Sequence, residues 1–378
     1  MRTTTLTAAA LSLVVIVACS KKDQDAGEKN TRAKPAPTKK KPAAGNETTA
    51  VAKAAAKKVV KVAKPATLGP VPGEVVFGKF KLVKCATDGP PMQSESFSGA
   101  VKALTATDKV VYVVDNNDAI RKYKVGPGPA CTLTLDTGFG DKGVLKPAKK
   151  PRVIAADHKG TLYVVSDRKL WRESDGKLVD FCKADMFATD SIAFASDDSF
   201  ALASGFGGKW FRVELSADSC TKKPWAYQPK LEFSNADIIG DKVYMTGKNG
   251  GVRAKFSLME FGLSGGKASK TFETGKKLGD KNLLCQSNGA VGCGKDICVV
   301  DANCRKMMVF SPDGKSTNIK FKKDHFDHSY IWAVAIGQAS PDVAYLAVST
   351  KQPKDKTKPK AKPIHRGFVY RLYGLAQK

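Results

Sequence analysis

The chain has 378 residues, 42% of them hydrophobic, with 33 glycines and 19 prolines. That balance excludes a fibre or a wholly disordered protein and predicts a folded core. Lysine and arginine outnumber aspartate and glutamate by 63 to 36, a formal net charge of +27. A surplus of that size is common in nucleic-acid binders, but its distribution along the chain argues against such a partner.

Met1 and Arg2 are followed, from Leu6 to Ala18, by thirteen residues without a charge. A helix that crosses a bilayer needs about 20 apolar residues, so the stretch fits the apolar region of an export signal instead. It ends in Ile16-Val17-Ala18-Cys19, followed by Ser20. This resembles the lipobox of bacterial lipoproteins. The resemblance implies removal of residues 1–18, a diacylglyceryl thioether on Cys19 and an acyl group such as palmitate on the new amine. Two or more lipid chains make stable membrane anchoring. An ordinary signal peptide with a chance cysteine is the alternative. By the same resemblance Ser20, standing where an aspartate would retain the protein at the inner membrane, favours the outer membrane. The expected location is the bacterial cell envelope, facing the periplasm or the surface.

Residues 19–70 form a lipidated cysteine and a tether. Positions 21–70 carry 13 basic and 4 acidic side chains, rich in Lys, Ala and Pro, with no aromatic residue. Such a stretch cannot build a core and reads as a spacer. A second basic run, residues 351–366, has seven basic residues, one acid and three prolines, the composition of a loop between strands. More than half of the charge surplus therefore lies in appendages. Export removes nucleic acid as a partner, which leaves an envelope protein or an anionic polysaccharide or lipid as the available counter-charge.

From residue 71 to 378 short β-rich runs alternate with turn residues. The clearest second strands begin at Val110, Leu162, Phe200, Val243, Ile297 and Ala344, 38 to 54 residues apart. They are preceded by strands such as Val101–Leu104 and followed by others such as Lys169–Arg172. A repeat of roughly 40–50 residues with four strands is the scale of a propeller blade. Ser311-Pro312-Asp313-Gly314 resembles the turn of several propeller families, including TolB-like and other short-repeat proteins. The fold expected is all-β, a six-bladed β-propeller, with seven blades second and a β-sandwich plus a small domain third. The strand pair within Glu74–Val83 stands outside the repeats and predicts closure of the last blade by the N-terminal end.

Nine cysteines less Cys19 leave eight, an even number in an exported chain, and disulfides are expected. Locality pairs Cys85 with Cys131 around the first blade, Cys182 with Cys220 around the third, and Cys285, Cys293, Cys298 and Cys304 among themselves. A metal site built from the last four is the rival, but it lacks the short paired spacing usual for zinc.

No catalytic motif is found, and no cofactor is expected, with calcium as an outside option. Asp324, His325, Asp327 and His328 offer carboxylate and imidazole ligands close together and form a candidate metal set. Trp210, Trp225 and Tyr227 are candidates for an exposed aromatic binding patch. The function expected is a membrane-anchored binding or assembly module. The alternative is a metal-dependent lactonase or glycan-acting enzyme with its site in the central channel, since propellers host both classes.

Overall fold

The computed structural model describes residues 73–376 apart from 96–99, 129, 183, 228–230, 250–255, 273, 276–279, 281–282, 286, 327–330 and 352–362. Cys19, the tether, Asp327, His328 and most of the basic run lie outside the described residues.

The chain forms a six-bladed β-propeller. Blade 1 consists of Val101–Ala106, Val110–Asp115, Ile120–Val125 and Thr132–Leu135. Blade 2 consists of Val153–Ala156, Leu162–Ser166, Lys169–Ser174 and Lys177–Cys182, and blade 3 of Ile192–Phe194, Phe200–Ser204, Lys209–Leu215 and Cys220–Tyr227. Blade 4 consists of Leu231–Ile239, Lys242–Asn249, Phe256–Gly262 and Lys270–Phe272, and blade 5 of Ser287–Cys293, Asp296–Asp301, Lys306–Phe310 and Ser316–Lys320. Blade 6 takes Ile331–Ser340, Val343–Lys351 and His365–Tyr373 from the C-terminal end and Phe80–Lys84 from the N-terminal end. That last strand runs antiparallel to its neighbour with Leu82 opposite Leu372 and Val83 opposite Arg371, so the two ends of the chain close the ring. Gly78 turns the hairpin that delivers it, at φ +64° and against the Ile319 side chain.

Strand periodicity explains the core. Successive side chains point to opposite faces of a strand, and each second strand is covered on both faces by neighbouring blades. In blade 1, Val111 and Val113 pack toward blade 6, while Tyr112 and Val114 pack toward blade 2. Leu162–Ser166, Phe200–Ser204 and Asp296–Asp301 are buried at every position. The buried hydrophobic side chains described fall into six clusters, one at each junction between blades.

Among the described residues the backbone run that closes blade 6 goes on to pair Ala86–Thr87 in parallel with Thr132–Leu133 of blade 1, and side chains bridge the innermost parts of the ring. Ala156 N–H donates to Thr105 Oγ1 at 3.0 Å, Ala236 N–H to Ser191 Oγ at 2.9 Å and Gly292 N–H to Gln338 Oε1 at 2.9 Å. Ala100 and Val101 N–H donate to Ser349 Oγ at 2.9 and 3.1 Å, which joins blade 6 to blade 1. Arg152 Nε meets Asp190 at 2.6 Å between blades 2 and 3. At the junction of blades 4 and 5, Ala290 N–H donates to Asp237 Oδ2 at 2.9 Å.

All eight cysteines form disulfides. Two of these bridges join blades rather than bracket one. Cys85 follows the outer strand of blade 6 and Cys131 precedes that of blade 1. Cys182 ends the outer strand of blade 2 and Cys220 begins that of blade 3. The reason is blade twist, which brings the end of one outer strand to the start of the next. Cys293–Cys298 spans the first hairpin of blade 5, and Cys285–Cys304 ties the approach to that blade to its second turn. The four clustered thiols are therefore bonded to one another and are not free to hold a metal. Each bridge contributes about 2–4 kcal/mol in typical cases. Four disulfides fit an oxidising, extracytoplasmic compartment.

Burial pushes the Asp237 carboxyl up to about 7, against the lowering effect of the hydrogen bond from Ala290. A carboxyl whose folded-state pKa is raised disfavours folding as pH rises from its unfolded value toward the folded one. The Asp237→Asn variant keeps an acceptor for Ala290 and carries no charge. Its stability in urea titrations should rise relative to the parent between pH 4 and pH 7 and match it near pH 4. A constant difference across that window would contradict the assignment.

Candidate binding cleft between blades 1 and 2

A cleft of about 1130 Å3 opens between blades 1 and 2. The crossover between these blades does not run directly to the next inner strand. It folds back as a strap, residues 136–152, in which Val144–Leu145 pairs with the first residues of the third strand of blade 1. Phe139 plugs the strap into the core, its ring edge-on to Tyr112 at 5.8 Å. Gly140 N–H donates to Gly176 O at 3.1 Å, a backbone link between the strap and blade 2. Both glycines are required there. Each has a positive φ, and a Cβ would lie 2.3 Å from Val144 O at Gly140 and 2.7 Å from Gly138 O at Gly176. Ser166 Oγ fastens the far end, donating to the Lys149 and Lys150 carbonyls at 2.9 and 3.3 Å.

One wall is the strap together with the turn after the second strand of blade 1. Asp115 organises that turn, accepting from Asn117 N–H at 2.9 Å and Ala119 N–H at 3.1 Å. Its other oxygen pairs with buried Arg121 at 3.2 Å, and Arg121 Nη1 donates to Pro90 O at 2.6 Å. This ion pair holds the wall and is engaged within the protein. Losing either partner would leave a buried charge uncompensated, at a cost of about 3–5 kcal/mol.

The opposite wall is blade 2. Trp171, half-buried in the lining, donates its indole N–H to Ser166 O at 3.0 Å, which fixes the ring. Lys169 lies 5.5 Å from the ring centroid and pairs with Asp180 at 2.6 Å. A further link between the two blades is Lys122 of blade 1, which reaches Asp136 at 3.7 Å and Glu173 of blade 2 at 3.9 Å. Burial raises the Asp136 carboxyl, but Lys124 and Lys122 outweigh it and hold the group below its ordinary range.

The lining is mainly apolar, from Val144, Leu145, Pro147, Leu178 and Trp171, with a basic rim. Lys142, Lys146, Lys149 and Lys177 are exposed and take part in none of the described salt bridges. Against them stand two exposed acids, Asp141 and Asp167. The local field thus favours anions.

The candidates from the sequence sit elsewhere. Trp210 is 1% exposed in the core between blades 3 and 4, and Trp225 packs there with its indole N–H on Leu263 O at 2.8 Å. The expected three-residue aromatic patch is corrected accordingly: of the three only Tyr227 is exposed, and a register irregularity, with Trp210 opposite Ala226 and Phe211 opposite Pro224, breaks the alternation at Trp225. Asp324 and His325 lie on the short helix Lys323–Phe326. The His325 ring packs edge-on to Phe77 at 5.0 Å, and its Nδ1 accepts from Lys322 N–H at 3.3 Å. Burial and then Lys322 lower its pKa. Among the described residues the one set with metal-ligand spacing is Cys285, Asp301 and Cys304, and its two cysteines are joined. Asp301 instead accepts from Cys285 and Cys304 N–H at 2.8 and 3.1 Å. Sequence reading missed the cleft. The available signal was the long, lysine- and glycine-bearing crossover, which no blade repeat accounts for.

The Gly140→Ala variant should detach the strap. Tryptic cleavage at Lys142 and Lys149 under native conditions is expected to rise about tenfold or more. Unaltered cleavage would show that the strap is not held by this link.

No protein-family model matches the sequence, and no curated protein matches it. Among solved structures, the chain is similar to the WD40 domain of Toxoplasma gondii coronin at 8% identity and a TM-score of 0.45, covering 72% of this chain and 69% of that one. It is similar to a chain of a nidogen/laminin complex at 14% identity and a TM-score of 0.44, covering 60% and 82%. It is also similar to virginiamycin B lyase from Staphylococcus aureus at 12% identity and a TM-score of 0.44, covering 78% and 99%.

Proposed function

We propose that this chain is a lipid-anchored binding module of the bacterial envelope that holds an anionic ligand in the cleft between blades 1 and 2. The observation that carries the reading is the pairing of an apolar floor with four lysines outside the described salt bridges on a covalently braced frame. Bridges Cys85–Cys131 and Cys182–Cys220 join blade 1 to blade 6 and blade 2 to blade 3, on either side of the cleft. A frame fixed before binding loses less entropy on binding. The lipobox-like Ile16–Cys19, the basic tether and the disulfides support export and anchoring. No described helix is long and apolar enough to cross a membrane. Ser20 favours the outer membrane.

Two measurements test this reading. Cys19→Ser should abolish incorporation of labelled palmitate and move the protein from the membrane to the soluble fraction. In the full chain, Lys146→Gln, Lys149→Gln and Lys177→Gln together should weaken dextran sulfate binding about tenfold at 150 mM salt and flatten its salt dependence. Equal binding by the triple variant would assign the affinity to the tether and refute the cleft.

A further inference from the structure

We infer that the ligand of this cleft is an anionic glycan, a chain of sugars bearing carboxylate or phosphate groups, rather than an acidic peptide. The inference rests on the cleft being the binding site and specifies what fills it. Three features of the lining lead to it.

The first is the kind of cation. The cations of the lining outside the described salt bridges are all lysines, while the one arginine of the cleft, Arg121, is occupied by Asp115 and Pro90. Lysine is a compact point charge on a flexible stem, whereas arginine is the residue suited to bidentate, planar recognition of a single carboxylate. Lysines placed along the strap at 142, 146 and 149, with Lys177 across the cleft, suit repeated charges on a polymer.

The second is the aromatic surface. The Trp171 indole N–H is committed to Ser166 O. What the residue offers the cleft is therefore ring surface, in a lining that also holds Pro147 and Leu178. The C–H face of a sugar ring is apolar while its edge is polar, so it can lie on such a surface with its acidic group at the lysine rim.

The third is the backbone. A peptide that docks as an added strand needs main-chain partners. Along the strap several are already used: Asp141 and Val144 exchange both hydrogen bonds, Gly143 N–H donates to Phe139 O and Gly140 N–H to Gly176 O. The Lys149 and Lys150 carbonyls accept from Ser166. A glycan needs only ring surface and charge.

The test uses the full chain in detergent with four probes of matched length: oligogalacturonate, a phosphorylated mannan, poly-L-glutamate and neutral dextran. Binding is read by calorimetry and by protection of individual lysines from acylation, mapped by mass spectrometry. At least one anionic glycan should bind about tenfold more tightly than polyglutamate and protect Lys142, Lys146, Lys149 and Lys177. Trp171→Ala should cost the glycan about tenfold while changing polyglutamate binding less than twofold, and Trp171→Phe should restore part of the loss. Thermal unfolding of each variant distinguishes lost binding from lost folding. Which glycan binds decides between carboxylate and phosphate. Polyglutamate binding as tightly, with the same lysines protected, would overturn the glycan assignment and leave the cleft as the binding site. Absence of lysine protection by every probe would overturn both.

Discussion

Closure of the ring is the constraint on which the rest of this protein depends. Six sheets packed face to face are held to one another mainly by hydrophobic clusters. An open ring would expose both the outer faces of two blades and a run of unpaired backbone. The chain resolves this by giving its N-terminal strand Phe80–Lys84 to the sheet formed by its C-terminal strands. Ser349 then bridges blade 6 to the backbone at the start of blade 1, and Cys85–Cys131 locks the outer edge of the same junction. Hydrophobic burial supplies most of the stabilisation. The polar bridges and cystines determine which surfaces meet.

The same geometry explains the position of the cleft. Equivalent points on the rim, where one outer strand ends and the next begins, carry cystines between blades 6 and 1 and between blades 2 and 3. Between blades 1 and 2 the corresponding place is taken by the strap, fastened through Gly140 and Gly176. A strap can stand away from the blade as a cystine cannot, and the space beneath it is the cleft. The buried Asp115–Arg121 pair stiffens one wall, and Lys122 links blade 1 to Glu173 of blade 2. Arg121 and Lys169 of the lining are thus matched within the protein, and the exposed lysines remain for a ligand.

Much of the fold was legible in the sequence. Runs such as Val110–Val114 and Ile297–Val300 are apolar on both faces because each second strand is covered twice, and their recurrence marks the blades. The strand pair in Glu74–Val83 stood outside the repeats for the reason that it belongs to the last blade. Pairing within each cysteine group followed from locality, but the blades joined did not, since the twist of the outer strands leaves no trace in spacing. Trp210 and Trp225 both turn inward, and alternation alone would have put Trp225 and Tyr227 on one face, since the register irregularity beside Trp225 has no mark in the sequence. The cleft was not legible because its lysines lie in a crossover. Their convergence with Trp171 depends on two glycine conformations and a serine contact that no periodicity encodes. Strand-end aspartates such as Asp115, Asp157 and Asp301 were readable as turn formers, and each accepts backbone hydrogen bonds in that role.

The central claim is that the junction of blades 1 and 2 is a preformed site for an anionic chain. A crystal structure of the mature protein bound to a short anionic oligosaccharide tests it most directly. The account predicts a sugar ring against Trp171, acidic groups within hydrogen-bond reach of lysines on the strap, and a strap backbone unchanged from the free state. Ligand bound elsewhere on the propeller, with this cleft empty, would contradict it.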